Sequence, residues 1–130
     1  MRMHTWTRRA ATLAVGAAAA LALTVGSANA AGSISKGMSG PNVKCLQRAL
    51  NDVDAAGLEP DSSFGILTYN AVVDFQDSHG LRGDGIVGPL TGGAIKSVIS
   101  TRYNAGHGND DPLHGELGDW LSGCSSQLPG

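Results

Sequence analysis

Residues 61–68 read DSSFGILT and residues 84–91 read DGIVGPLT, so one phrase occurs twice in this chain. Both copies follow the pattern Asp-x-x-apolar-Gly-x-x-Thr. Asp accepts backbone N–H groups where a chain reverses, and Gly adopts backbone angles that a side chain forbids. The Thr lies one turn further on, where its hydroxyl can bond back to the loop. Each copy therefore predicts a tight turn that leads into a helix.

Three helices are predicted around these turns, because apolar residues recur there at helical spacing. The first begins at Ser39-Gly40-Pro41, with Pro at the first helical position, and its predicted buried face comprises Val43, Leu46, Gln47, Leu50 and Val53. The second begins near Phe64-Gly65, and its predicted buried face comprises Phe64, Thr68, Ala71, Val72 and Phe75. The third begins at Gly88-Pro89, with an apolar face of Leu90, Ala94, Ile95 and Val98.

Glycines add two local predictions. Gly80 is placed to cap the second helix at its C-terminus, with Leu81 packing back beneath it. Gly92 and Gly93 lower the helix propensity of the third helix by up to about 1 kcal/mol each relative to Ala, or they allow another backbone to approach closely.

The C-terminal extension, residues 101–130, is predicted to be a linker over 102–110 followed by a short helix. Asp111-Pro112 is a cap followed by Pro, and an apolar stripe follows it: Leu113, Leu117, Trp120, Leu121 and Cys124. A disordered tail is the alternative.

The N-terminal residues 1–30 have the composition of a secretory signal peptide. A basic start precedes an apolar run from Ala10 to Val25, and Ala28-Asn29-Ala30 is a small-x-small cleavage site. An uncleaved membrane anchor is the alternative. The small, polar residues 31–39 then predict a loose leader before the domain.

The chain that remains after residue 30 is acidic. It keeps six of the nine basic residues and all eleven acidic ones, a formal charge of −5. Such a surface argues against nucleic acid and anionic membranes as partners. It does not argue against a glycan, which proteins bind by hydrogen bonds and stacking.

Both cysteines, Cys45 and Cys124, lie beyond the signal segment. Outside the cytoplasm, an even pair in a small chain indicates a disulfide, with two free thiols or a metal pair with His107 or His114 as alternatives. Cys45 falls on the outer face of the first helix, and Cys124 ends the stripe of the last. We therefore predict a Cys45–Cys124 bond that docks the last helix on that outer face.

Together with Gly40–Gln47, Ala71–Gln76 and His79-Gly80-Leu81, the repeated phrase resembles the small three-helix peptidoglycan-binding domain of bacterial cell-wall hydrolases. The resemblance covers about residues 35–100, and the domain is assigned to 31–100. The second copy matches the family pattern well, whereas the first has Ser62 where Gly is usual. The resemblance implies an all-α bundle of three helices, here with a short, disulfide-stapled fourth.

The resemblance also implies a ligand site, since in this family the two loops and the helix starts border a shallow groove for wall peptide or glycan. Carried over to this sequence, it gives the candidate ligand-binding residues Asp61, Ser63, Thr68, Tyr69, Asp84, Gly85, Ile86 and Thr91. Ser62 offers a further hydroxyl. Each of these residues also has a purely structural interpretation as a cap, a turn residue or a core plug.

Catalytic sequence motifs of the nucleophile-elbow or zinc-helix type do not occur in the chain. A metal group of His107, Asp110, Asp111 and His114 and an acid/base pair of Glu59 and Asp61 are considered as alternatives, and solvated loop residues are favoured over both. No cofactor and no metal are predicted. The predicted function is non-catalytic binding of peptidoglycan by a secreted, wall-associated protein. One alternative is a secreted module that binds or inhibits another protein, which the altered first loop at Ser62 and the appended helix with Trp120 favour. The other alternative is a small wall hydrolase.

Overall fold

The computed structural model of the chain describes residues 31–105 and 111–130. It contains four α-helices, which are α1 (Pro41–Asp54), α2 (Ile66–Ser78), α3 (Pro89–Asn104) and α4 (Pro112–Gly123), and a 3-10 turn at Ser125–Gln127. Extended backbone within these residues is limited to two isolated β-bridges. The predicted all-α bundle with a short fourth helix is therefore confirmed. The predicted signal peptide, His107 and Asp110 lie outside the described residues.

The helix ends follow the local sequence signals. Gly40 and Gly88 precede α1 and α3 as N-cap residues, with Pro next in the chain, and Gly65 precedes α2. At the end of α2, Gly80 adopts φ +67°, and the Leu81 N–H donates to the Gln76 carbonyl at 2.8 Å. This is a Schellman ending, which confirms the predicted cap at Gly80.

The core lies between α1, α2 and α3. The predicted buried face of α1 is confirmed, and so are Phe64, Thr68, Val72 and Phe75, while Ala71 is half-buried. The prediction for Leu90 is wrong, because its side chain is 80% exposed. The inner face of α3 instead runs along Thr91, Ile95 and Ile99, four residues apart, so Leu90 is turned outward beside Thr91.

Residues 31–39 do not form the predicted loose leader. Ile34 is fully buried, and it exchanges two backbone hydrogen bonds with Val87 of the second loop, at 3.0 and 2.9 Å. Ser39 forms the second β-bridge, with Ser63 of the first loop. The segment is therefore pinned between the two loops, which a count of its small, polar residues could not show.

The predicted linker is also wrong at its start, since α3 continues to Asn104. Arg102 donates to the backbone carbonyls of Asp52 and Val53 at the end of α1, to the second at 2.7 Å. A guanidinium there satisfies carbonyls that have no partner within their own helix, and it favours the negative end of the helix dipole.

α4 docks on α1 and α3 through the predicted apolar stripe. The Asp111 side chain caps it by accepting from the Leu113 N–H at 2.9 Å, and the disulfide joins Cys45 to Cys124 with a Cα–Cα distance of 5.4 Å. Trp120 is fully buried, and its indole N–H donates to the Cys45 carbonyl at 2.8 Å. The predicted staple is therefore present.

The close backbone approach predicted for the glycine pair of α3 is confirmed at its first member. A Cβ on Gly92 would lie 1.9 Å from the Pro129 carbonyl oxygen, so only Gly fits beneath the C-terminal segment. A Cβ on Gly130 would lie 2.4 Å from the Pro89 carbonyl oxygen and 2.6 Å from the Gly93 nitrogen, and the Lys96 ammonium donates to the Gly130 carbonyl. None of the helices in the described residues is long and apolar enough to cross a membrane.

Candidate functional site

Each repeated loop is built around one buried glutamine. In the first loop, Gln47 of α1 is 2% exposed, and its Nε2 donates to Asp61 Oδ1 at 2.9 Å, the Ser63 carbonyl at 2.9 Å and Thr68 Oγ1 at 3.1 Å. Its Oε1 accepts from the Ser62 N–H at 3.0 Å. One side chain therefore joins helix α1, the loop and the first turn of α2.

The second loop repeats this network one helix later. Gln76 of α2 is 1% exposed, and its Nε2 donates to Asp84 Oδ1 at 3.0 Å, the Ile86 carbonyl at 2.9 Å and Thr91 Oγ1 at 3.0 Å. Its Oε1 accepts from the Gly85 N–H at 2.9 Å. The two networks agree bond for bond to within 0.1 Å.

The role of these glutamines as network centres was missed in the sequence, although a signal for it exists. Residues 43–47 read VKCLQ and residues 72–76 read VVDFQ, so Val-x-x-apolar-Gln precedes each copy of the repeated phrase. The Gln lies on the buried face of its helix, where an amide with both donors and acceptor needs partners. The repeat unit is therefore a helix end plus a loop plus a helix start.

The aspartates act as predicted, and the threonines differ from the prediction. Asp61 Oδ1 also accepts from the Ser63 N–H at 2.8 Å, and Asp84 Oδ1 from the Ile86 N–H at 2.9 Å. The Thr hydroxyls accept from the glutamines rather than bonding back to the loop. Only a side chain from the preceding helix reaches both the loop and the Thr, which the local pattern could not reveal.

Hydrogen bonds hold both loop carboxylates in the charged form. The Gln47 amide, and then the Ser63 N–H, lower the pKa of Asp61 below its ordinary value of 3.8. The Ile86 N–H, and then the Gln76 amide, lower the pKa of Asp84 in the same way. Both aspartates are therefore ionised at neutral pH, which is the state that accepts these bonds.

Ser62 and Gly85 occupy the same place in the two loops, with left-handed φ values of +67° and +70°. Gly adopts this conformation readily, whereas Ser is strained there. Gly85 is also packed against the ring of Tyr69, since a Cβ on it would lie 2.0 Å from Tyr69 Cε2. The Lys36 ammonium lies 6.0 Å from the centroid of the same ring.

Two surface grooves accompany the loops, where a single groove was predicted. The first loop groove has a volume of about 270 Å³ and is lined by Gln47, Leu58, Glu59, Asp61, Ser63, Gly65, Ile66, Leu67 and Thr68. The second loop groove has a volume of about 250 Å³ and is lined by Gln76, Leu81, Arg82, Asp84, Ile86, Gly88, Pro89, Leu90 and Thr91. From Leu58 onward, each residue of the first corresponds to the residue 23 positions later in the second.

The predicted ligand residues are divided between these grooves. The first loop groove holds Asp61, Ser63 and Thr68, and the second holds Asp84, Ile86 and Thr91. Tyr69 and Gly85 line neither groove and pack against each other instead. Leu67 and Leu90, at matching positions of the two grooves, are 71% and 80% exposed and were not among the predicted ligand residues.

The structure offers no metal centre in the part of the chain that it describes, since no group of three His, Cys, Asp or Glu side chains converges there. Asp111 of the alternative metal group caps α4, and the His114 ring stacks on Tyr103 at a centroid distance of 4.3 Å. The other two members of that group lie outside the described residues.

The segment that carries both loops is similar to a known protein family. Residues 39–95 match the family described as the putative peptidoglycan binding domain. Both repeated loops and both glutamines lie inside this segment, whereas Cys124 and α4 lie beyond it. This match confirms the resemblance predicted from the sequence, and it supports peptidoglycan as a partner.

Curated relatives match the same part of the chain. A probable N-acetylmuramoyl-L-alanine amidase of Bacillus licheniformis is 41% identical over 70 residues, which are 50% of this chain and 19% of that protein. The N-acetylmuramoyl-L-alanine amidase CwlM of Mycobacterium tuberculosis is 36% identical over 69 residues, 52% of this chain and 16% of that protein. An uncharacterized protein of Kitasatospora aureofaciens is 48% identical over 59 residues, 45% of this chain and 50% of that protein. The chain thus spans half or less of each relative.

Proposed function

We propose that this protein is a secreted, non-catalytic module that binds cell-wall peptidoglycan through its repeated loops. The observation that carries the proposal is the pair of glutamine-centred networks, which fix two loops of the same shape inside the family segment. Preorganised loops of this kind lose little conformational entropy when a ligand binds, and weakly held surface loops lose more.

The chemistry of the grooves suits a polar polymer that carries carboxylates and methyl groups. α2 and α3 begin at Gly65 and Gly88 with no side-chain cap, so backbone N–H groups of their first turns are available to an anion. Exposed Leu67 and Leu90 supply apolar contact beside them. We assign ligand contact to the groove residues Asp61, Ser63, Thr68, Asp84, Ile86 and Thr91, and a supporting role to Tyr69 and Gly85.

A non-catalytic role is supported by the extent of the similarity. The two amidases match this chain over less than a fifth of their own length, and the match falls on the family segment that the binding domain occupies. Asp61 accepts hydrogen bonds from the Gln47 amide and the Ser63 N–H, so the carboxylate considered for acid/base chemistry has a structural role. The amidase activity named for those relatives is not proposed for this chain.

Secretion is supported by the composition of residues 1–30 and by the disulfide. The Cys45–Cys124 bond fastens α4 to the bundle, and such bonds persist outside the cytoplasm. We propose cleavage after Ala30, a wall-binding domain over residues 31–100 and a C-terminal extension over 101–130 that packs on it.

A binding assay on insoluble peptidoglycan tests the proposal. The oxidised protein, mixed with purified sacculi at micromolar concentration and moderate salt, is expected to sediment with them and to release no soluble muropeptide above a buffer control. Protein that stays in the supernatant would contradict wall binding. Released muropeptide would contradict the non-catalytic role and favour the hydrolase alternative.

The alternative of a protein-binding or inhibitor module loses one of its supports. Trp120 was the candidate contact on the appended helix, and it is fully buried against the Cys45 carbonyl. The strained Ser62 of the first loop remains the feature that favours this alternative. If the protein does not bind sacculi, this alternative is the next to test.

A further inference from the structure

The two loop grooves are lined by matching residues, and they differ in charge at one matched position. Glu59 of the first groove corresponds to Arg82 of the second, and both side chains are exposed. With Asp61 and Asp84 ionised in both, the first groove carries two negative charges, while the second carries one negative and one positive charge. The chain thus contains two sites of the same architecture and unequal electrostatics.

The carboxylate of Asp84 is attracted by the Arg82 charge, which lowers its pKa as a smaller cause than the loop hydrogen bonds do. Its Oδ1 already accepts from the Ile86 N–H and the Gln76 amide, so that carboxylate is committed to the loop. The guanidinium of Arg82 has a planar array of donors that suits a carboxylate, and such charge-assisted bonds are stronger than neutral ones. A ligand carboxylate therefore finds a cation at the second groove and a second anion at the first.

Four apolar residues line the second groove, one more than line the first. They are Leu81, Ile86, Pro89 and Leu90, with Ile86 45% and Leu90 80% exposed. The first groove has Ser63 at the position of Ile86. Apolar side chains beside a cation fit a short peptide that carries a carboxylate and small aliphatic side chains.

We propose that the second loop groove is the site for the carboxylate-bearing stem peptide of the wall polymer, that Arg82 is its specificity-determining residue, and that Glu59 excludes the same ligand from the first groove. This inference rests on the proposed function, since it names the part of peptidoglycan that is bound and the groove that binds it. One stem peptide then binds to each protein molecule, in the second groove, and the ligand contacts assigned to the first groove are left to uncharged parts of the polymer.

The test uses the oxidised chain and a soluble disaccharide-peptide fragment of peptidoglycan with a free C-terminal carboxylate, together with the same fragment amidated at that carboxylate. In titration calorimetry, the wild type is expected to bind one free-carboxylate fragment and to bind the amide about ten- to hundredfold more weakly. Added salt should reduce that preference, because it screens the ion pair.

Charge reversals at the matched positions separate the two grooves. Arg82→Glu should weaken binding of the free-carboxylate fragment about ten- to hundredfold and largely remove its advantage over the amide. Glu59→Arg should raise the stoichiometry from one fragment to two. Leu90→Ala should weaken binding of the free-carboxylate fragment more than Leu67→Ala, the matching substitution in the first groove, does. Circular dichroism confirms that each variant is folded.

Several results would overturn the inference while leaving wall binding intact. The first is a wild type that sediments with sacculi but does not bind the fragment. The second is an Arg82→Glu variant that binds the fragment as tightly as the wild type. The others are a Glu59→Arg variant that still binds one fragment, and equal losses of affinity for Leu67→Ala and Leu90→Ala. A wild type that binds neither sacculi nor the fragment would instead remove the proposed function itself.

Discussion

Replacing Gln76 with Leu tests whether one buried amide holds the second loop. The substitution keeps a side chain of similar size on α2 and removes the glutamine partner of four groups: the Gly85 N–H, the Ile86 carbonyl, the Thr91 hydroxyl and the Asp84 carboxylate. The Ile86 carbonyl still accepts from the Gly88 N–H, and Asp84 still accepts from the Ile86 N–H. The bonds to Gly85 and Thr91 are buried, so each loss costs the desolvation of a buried polar group, about 1–3 kcal/mol.

The two other bonds are partly exposed, and water replaces much of what they supply. Together the four losses predict a destabilisation of about 3–5 kcal/mol for Gln76→Leu. Since about 1 kcal/mol shifts Tm by about 4–8 °C in a domain of this size, Tm should fall by more than about 12 °C. Gln47→Leu should cost somewhat less, because only its bond to Thr68 is buried.

Thermal unfolding followed by far-UV circular dichroism measures both variants, and Asp74→Ala on the exposed face of α2 is the control. The control should melt within a few degrees of the wild type. If Gln76→Leu did so as well, the glutamine would not be the centre of the second loop. The hydrogen bonds of Gln76 would then contribute little to the free energy of unfolding.

Three further outcomes are expected. Replacing Cys45 and Cys124 together by Ala opens a loop with a sequence separation of 79, so unfolding should become easier by about 4.5 kcal/mol in the chain-entropy model, and equal stability in chemical denaturation would contradict it. Ser62→Gly should stabilise the protein by about 0.5–1 kcal/mol, because it relieves left-handed strain at φ +67°, and a loss of stability would refute that strain. Asp61 and Asp84 have lowered folded-state pKa values, so they stabilise the fold fully above their ordinary pKa of 3.8 and lose that contribution as the pH falls below it. The double Asn variant should therefore show a shallower loss of Tm in acid than the wild type, and parallel curves would argue against this linkage.

The helix starts, the Gly80 ending and the inward faces of α1 and α2 could be predicted from the sequence. Each depends on residues within about one or two helical turns, where capping, proline and apolar spacing act. The disulfide was predictable for a related reason. Helical spacing placed Cys45 on the outer face of α1 and Cys124 at the end of an apolar stripe. That stripe has to pack on another surface, and a bond to Cys45 brings it to the outer face of α1.

Leu90 shows where this reasoning stops. It is an apolar residue in the first turn of α3, and spacing alone allowed it to join the buried face. The hydrogen bond from Gln76 to Thr91 holds Thr91 on the buried side of that turn, and Leu90 is left 80% exposed at the groove. An apolar side chain that looked like core is therefore part of the surface that we assign to the ligand.

The sequence by itself determined the helical class and the positions of the two turns, because these depend on residues close together in the chain, and it supplied two cysteines that can pair outside the cytoplasm. Tertiary structure decided that Gln47 and Gln76 hold the loops, that Ile34 is pinned against Val87, and that there are two grooves rather than one. The physical reason is that periodicity tells which side of a helix faces inward, but a buried polar side chain takes its partners from distant segments. Those partners exist only when the chain is folded.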